Sequence, residues 1–275
     1  MRGLGGRVVV ITGAARGIGL GLAQAFAERG AHLVLCDIDE VGLEGAVEAL
    51  HADGAQAVAV AADVTDPAAL ARVRDVAFDR FETVHVLCNN PGPKISKPLL
   101  DQPVDVDDWR SGMELLLYSV LHGLNAFLPR MLEQDEGHIV NTASLAGLTP
   151  STLLGVYTPA KAAVVAVSEL LAAELAEQGA NIGVTVLTPA LVRTPGVLAS
   201  MTAAPDQQDE LWMRRFLEKQ TVYLRTAVDP IDLGRLTVRA VETGAFYVHT
   251  KRGAVDSFQQ KADRMRADAD RVGLS

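Results

Sequence analysis

The segment RVVVITGAARGIG, Arg7 to Gly19, decides the fold. Its β-branched half reads as a strand ending at Thr12, and an apolar helical pattern opens at Ile18. Between and into them fall three glycines. Gly13 permits a tight turn, Gly17 lets backbone approach a pyrophosphate, and Gly19 lets the helix pack on the strand. A helix N-terminus presented in this way attracts anions. Isolated glycine patterns are weak evidence, but a second landmark follows. Asp37 closes the next apolar run, about 20 residues further on, where a carboxylate can hold the ribose hydroxyls of a dinucleotide. A 2′-phosphate there would meet like charge, so Asp37 favours NAD. Arg16, in the loop itself, pulls toward NADP, the lesser alternative.

Working outward, RVVVIT, AHLVLCD, AQAVAVAAD, VHVLCNN, GHIVNTAS, NIGVTVLTP and AFYVHT read as strands. Helical patterns separate them over Ile18–Arg29, Glu40–Ala52, Pro67–Phe81, Asp105–Leu132, Gly155–Gln178 and Pro230–Thr243. Strict alternation predicts right-handed crossovers: an α/β, doubly wound (Rossmann) parallel sheet of about seven strands with helices on both faces. Neither linker nor repeat divides residues 1–275, so one catalytic domain is expected. Two regions stand apart: a long irregular stretch at 190–228 and a charged, helix-like extension at 251–275. A loop that long is more often functional than idle.

Composition fits. Of 275 residues, 49% are hydrophobic and the mean hydropathy is +0.18, as for a sheet covered on both faces. The net charge of −9 argues against nucleic acid and anionic membranes as partners. Cys36 and Cys88 sit inside apolar runs and read as buried thiols; no spacing suits a disulfide framework or a metal site. No targeting signal precedes the first strand and no apolar run nears membrane-spanning length, so a cytoplasmic protein is expected.

VYTPAKAAV, Val156 to Val164, places Tyr157 and Lys161 on one helix face. A lysine there is costly to bury and so should have a task. A free tyrosine, with pKa near ~10, is about three units too high for a base near neutrality, a deficit of roughly 4 kcal/mol. An ammonium about 5 Å away supplies roughly 3 kcal/mol at an effective dielectric of ~20. Pro159 is tolerable only in a first turn, which sets the helix start near Tyr157. Ser144 ends a strand at the carboxyl edge, where its hydroxyl can bond a reacting oxygen.

Together TGAARGIG, NNPG, the serine of TASLAG and YTPAK resemble the short-chain dehydrogenase/reductase family from about Gly5 to Thr194, and more weakly to FYVHT. Ser144 lies 13 residues before Tyr157 and Lys161 four after it, as in that family. The resemblance implies hydride exchange between a nicotinamide cofactor and an alcohol or carbonyl. Tyr157 would be acid/base, Lys161 its electrostatic partner and ribose ligand, and Ser144 the substrate positioner. It implies nucleotide contacts from Gly13, Arg16, Gly17, Ile18, Gly19, Asp37, Asp63, Val64, Asn90, Lys161, Pro189 and Thr194. It also implies a homodimer or homotetramer, paired through the long helices Asp105–Leu132 and Gly155–Gln178.

Three departures stand out. The family's relay asparagine falls on Leu116, which holds no water, with Ser119 one turn on as a possible substitute. NNPG puts Pro91 where a backbone donor usually lies, leaving Asn89 and Asn90 to tie strands together. Ala190 replaces the glycine after Pro189 and loses access to positive φ. A slower or more pH-sensitive enzyme is expected.

On the substrate side, Leu191, Val197, Leu198, Met201, Leu211, Trp212, Met213 and Phe216 read either as an apolar lid or as an ordinary packed helix. Arg214 and Arg215 read as solvated. Ile95, Leu148, Leu153 and Leu154 would form the opposite wall. This lining favours a medium-sized or bulky apolar alcohol, aryl or alicyclic. The alternatives are a nucleotide-binding sensor or assembly protein that has lost catalysis, and an NADPH-dependent ketone reductase.

Overall fold

The β-branched runs become strands β1 (Val8–Thr12), β2 (His32–Asp37), β3 (Gln56–Ala61), β4 (Val86–Asn89), β5 (Gly137–Thr142), β6 (Ile182–Thr188) and β7 (Tyr247–His249). In the computed structural model, which describes residues 3–92, 94–100, 103–202, 214–215, 218, 221, 224–251 and 253–273, they form one parallel sheet. Its order is β3-β2-β1-β4-β5-β6-β7. The order reverses beside β1, so the chain leaves β1 and β4 toward opposite sides. That opens the crevice at their carboxyl ends where ligands of such sheets bind.

Helices α1 (Gly17–Ala27), α2 (Glu40–Ala52), α3 (Pro67–Phe81), α4 (Val106–Met113), α5 (Ser119–Gln134), α6 (Leu145–Leu148), α7 (Tyr157–Gln178), α8 (Pro195–Thr202), α9 (Pro230–Thr243) and α10 (Gly253–Arg271) complete the fold. Two apolar clusters cover the sheet faces. One joins Val10, Val34, Phe127 and Val164, the other Ile11, Leu22, Phe26 and Leu233. Their sequence signature is the near-continuous apolar strand of a doubly covered sheet.

The face carrying α1 is held by close packing on α9. A Cβ at Gly21 would stand 2.3 Å from the backbone carbon of Pro230, and one at Gly234 2.2 Å from the Gly21 carbonyl oxygen. Backbone cannot give way as a side chain does, so Gly21→Val is expected to cost about 1–3 kcal/mol. Urea denaturation midpoints check this; an unchanged midpoint would mean the two helices separate freely.

Two expectations need correcting. Val106–Gln134 forms one 29-residue helical stretch that is long and apolar enough to cross a membrane by length and composition. Val120, Phe127 and Met131 on it are buried in the core, which accounts for the apolarity. The region 190–228 is not simply irregular either. It includes α8, and its ends are pinned together by a parallel bridge between Val192 and Val228. Arg193 reinforces that base by donating to the Asp229 carboxylate at 2.9 Å.

Candidate active site

The glycine loop is built by contact with its neighbours. Gly13 has φ +62° and lies so close to Asn90 that a Cβ would stand 2.4 Å from the Asn90 carbonyl oxygen. Gly17, with φ +58°, faces Thr194, whose Cγ2 would be 3.2 Å from an added Cβ. A Cβ at Gly19 would meet the Gly13 carbonyl at 2.0 Å. The loop is therefore packed so closely against Asn90, Thr194 and itself that no side chain fits at these positions, which leaves bare backbone at the N-terminus of α1, where anions are attracted. Ile18 is half-buried behind it.

Thr12, not singled out in the sequence, anchors the crevice. Its hydroxyl accepts from the Asn90 amide at 2.9 Å, and the Asn90 side chain donates to the Gly13 carbonyl at 3.3 Å. Asn89 donates to Asn141, and Asn141 to Ser168, at 2.9 and 3.0 Å. The two asparagines thus tie β4 to β1 and to β5, as expected of them.

Asp37 accepts from the Ala15 amide through one carboxylate oxygen and from the Asp39 amide through the other, both at 3.0 Å. Each oxygen retains a lone pair for a ribose hydroxyl. Arg16 is drawn to Asp39, 3.7 Å away. Asp63 accepts from both the amide and the hydroxyl of Thr65. Val64 beside it is held through its carbonyl by His122 at 3.3 Å. Pro189 is buried and its carbonyl accepts from the Leu145 amide at 2.9 Å, which links the end of β6 to the Ser144 turn.

Ser144 caps α6, its hydroxyl accepting from the Ala146 amide at 3.2 Å, and it hydrogen-bonds Tyr157. Helix α7 begins at Tyr157 with Pro159 in its first turn. The turn before it is fixed by Gly155, at φ +49°, where a Cβ would strike the carbonyls of Ser96 and Lys97. Lys161 is buried, donates from Nζ to the Thr142 carbonyl at 2.7 Å, and stands 5.7 Å from the centre of the Tyr157 ring. The three residues therefore converge at the carboxyl edge.

Their electrostatics differ from the sequence argument. Burial pushes the Tyr157 phenol above its ordinary value, and the Ser144 hydrogen bond is what lowers it. Burial also pushes Lys161 down to about 7, so its cation is costly rather than freely available. Desolvation outweighs the attraction expected across 5 Å. Tyr157 is therefore held as a proton donor at neutrality.

The departures take physical form. Glu114–Tyr118 is a π-helical turn with Leu116 fully buried at its centre. Ser119 donates to the Leu115 carbonyl at 2.6 Å, so its proton is committed within its own helix. Ala190 has no positive φ, and its amide donates to the Thr250 hydroxyl at 2.9 Å. Cys36 and Cys88 are buried free thiols, Cys36 pushed up to about 12 by burial.

On the substrate side Ile95, Leu153, Leu154, Leu191 and Val197 are partly exposed, and Leu198 is exposed. Leu148 instead belongs to the core, so it is not a wall. Arg214 and Arg215 are exposed. The side chains of Met201, Leu211, Trp212, Met213 and Phe216 lie outside the described residues.

This geometry has known counterparts. The family described as short chain dehydrogenase matches residues 7–204. A 1-deoxy-11-beta-hydroxypentalenate dehydrogenase of Streptomyces avermitilis is 37% identical over 216 residues, 74% of this chain and 78% of that protein. A short chain dehydrogenase/reductase of Burkholderia phymatum, solved in complex with NAD, superposes with TM-score 0.87 at 31% identity, covering 98% of this chain and 97% of its own. The L-sorbose reductase of Gluconobacter frateurii, solved with NADPH and L-sorbose, gives TM-score 0.78 at 26% identity, covering 90% and 97%. The chain belongs to the short chain dehydrogenase family and is an oxidoreductase acting at a secondary alcohol or ketone.

Proposed function

We propose that residues 1–275 act as one catalytic domain that uses NAD to interconvert a medium-sized or bulky apolar secondary alcohol and its ketone. The observation that carries this reading is the hydrogen-bonded pair Ser144 and Tyr157 at the carboxyl edge, with Lys161 beneath it. Ser144 positions the reacting oxygen and Tyr157 exchanges its proton. Lys161 orients the phenol and, with Thr194 and the glycine loop, supports the nucleotide. Bound nicotinamide supplies or accepts the hydride.

NAD is favoured because Asp37 is fixed by two backbone amides while Arg16 is engaged with Asp39. An added phosphate would meet two carboxylates and one compromised arginine. The apolar substrate is supported by the partly exposed apolar residues Ile95, Leu153, Leu154, Leu191 and Val197, and by the Streptomyces relative, named for a hydroxypentalenate. The exposed Tyr118 and Leu170 on the long helices support pairing into a homodimer or homotetramer.

Reduced-nicotinamide absorbance, followed with NAD or NADP over a panel of secondary alcohols, tests the reading. Turnover with NAD on bulky apolar members is expected. Nucleotide binding without turnover would point to a sensor, and turnover with NADP alone would reverse the cofactor assignment. Asp37→Ser is expected to shift the NAD/NADP ratio of kcat/KM by about tenfold or more toward NADP, one tenfold being ~1.4 kcal/mol. An unchanged ratio would remove Asp37 from nucleotide selection.

A further inference from the structure

We propose that α10 docks on the α10 of a second copy of this chain, as an antiparallel, two-fold coiled coil. Helix α10 spans 19 residues and makes no extended packing with another element among the described residues. A helix of that length is marginal in water without a packed face. It nevertheless carries an apolar stripe. Val255, Phe258, Met265 and Val272 are 59%, 52%, 66% and 73% exposed. With Ala262 and Ala269 they fall at alternating spacings of three and four, the a and d positions of a heptad. Val272 still extends the stripe, because its amide donates to the Asp268 carbonyl. Arg266 and Asp268 flank the stripe and are each steadied from the outer face, Arg266 by Asp263 and Asp268 by Arg271.

Both size and charge select the partner. Run antiparallel against itself, the stripe sets Phe258 on the partner's Ala269 and Met265 on the partner's Ala262, with valines closing each end. Every layer pairs large with small or medium with medium, the interdigitation that dense packing needs. Lys261 and Asp268 both stand immediately before an a position. In an antiparallel pair these flanks face each other, so Lys261 meets the partner's Asp268, twice by symmetry. A parallel pair would instead set Lys261 against the partner's Arg266, a like-charge contact made twice.

The test uses the full-length protein. Lys261→Asp places like charges at both flanks and is expected to weaken association on the order of tenfold, read by mass photometry or sedimentation. Adding Asp268→Lys should restore it, with circular dichroism and turnover unchanged throughout. Mixed Ala262→Cys and Met265→Cys chains should form a disulfide-linked pair on mild oxidation; Cys36 and Cys88 are buried and do not compete. The proposal is overturned by parental association of Lys261→Asp, by the absence of the mixed cross-link, or by Ala262→Cys linking to itself faster than to Met265→Cys. The last result means a parallel pair. Because the readouts are association and cross-linking, they stand independently of whether the cofactor and substrate assignments hold.

Discussion

Tyr157→Phe is expected to lower turnover about 10²- to 10⁴-fold, the usual range for losing a positioned acid/base. Nucleotide affinity should stay near that of the parent. Phenylalanine keeps the ring against the first turn of α7 and above Lys161, so the pocket shape survives. It removes only the oxygen that hydrogen-bonds Ser144. Ser144 and the glycine cradle stay in place, so substrate and nucleotide can still be held without proton exchange. Parental turnover would end the proposed mechanism. Equal losses of nucleotide affinity and turnover would mean the phenol is structural. The raised phenol also gives the pH dependence a sign. Alcohol oxidation needs the phenol deprotonated and should accelerate as pH rises above neutrality. Ketone reduction uses the protonated form and should slow once the phenol titrates.

The parts of this molecule that could be read in the sequence are those fixed locally. Short continuous β-branched runs, glycines beside Thr12 and proline in a first turn each restrict the backbone within a few residues. They placed β1, the cradle and the start of α7 where the structure has them. What stayed hidden depends on contacts distant along the chain. MELLLYSV reads as plain helix, and nothing in it announces the π-helical turn around Leu116, which packing against α7 accompanies. Asn141 and Ser168, 27 residues apart, look like a strand interior and a helix interior until Asn89 joins them. Leu148 suits a pocket wall by composition, and only the close approach of α6 to α7 turns it inward. There a Cβ at Gly147 would lie 2.5 Å from the Lys161 carbonyl. The electrostatics were hidden for the same reason. Spacing brings Lys161 near Tyr157 but does not say how completely the lysine leaves water.

That desolvation makes Lys161→Met the second telling variant. It should nearly abolish turnover, because methionine keeps the buried stem but offers no charge to the phenol and no donor to the nucleotide. It should also stabilise the fold at low pH. The Lys161 ammonium is pushed from an ordinary 10.5 down to about 7 by burial. Between these values the unfolded chain binds the extra proton, so stability rises with pH across that window. The cost of the lysine is therefore complete below about pH 7, where it approaches roughly 5 kcal/mol at ~1.4 kcal/mol per pH unit, and it fades as pH approaches 10.5. Against this stands the Thr142 carbonyl, which loses its donor in the variant at a penalty of about 1–3 kcal/mol. The net expectation is a gain of roughly 2–4 kcal/mol near pH 6, shrinking through neutrality and turning to a small loss near pH 10. Denaturation midpoints at those pH values decide the matter. A gain that does not vary with pH would be packing alone, and a loss at every pH would mean the buried ammonium is stabilised by groups other than Thr142. The pH-dependent crossover would identify Lys161 as a residue kept for chemistry at the expense of stability, as active sites commonly require.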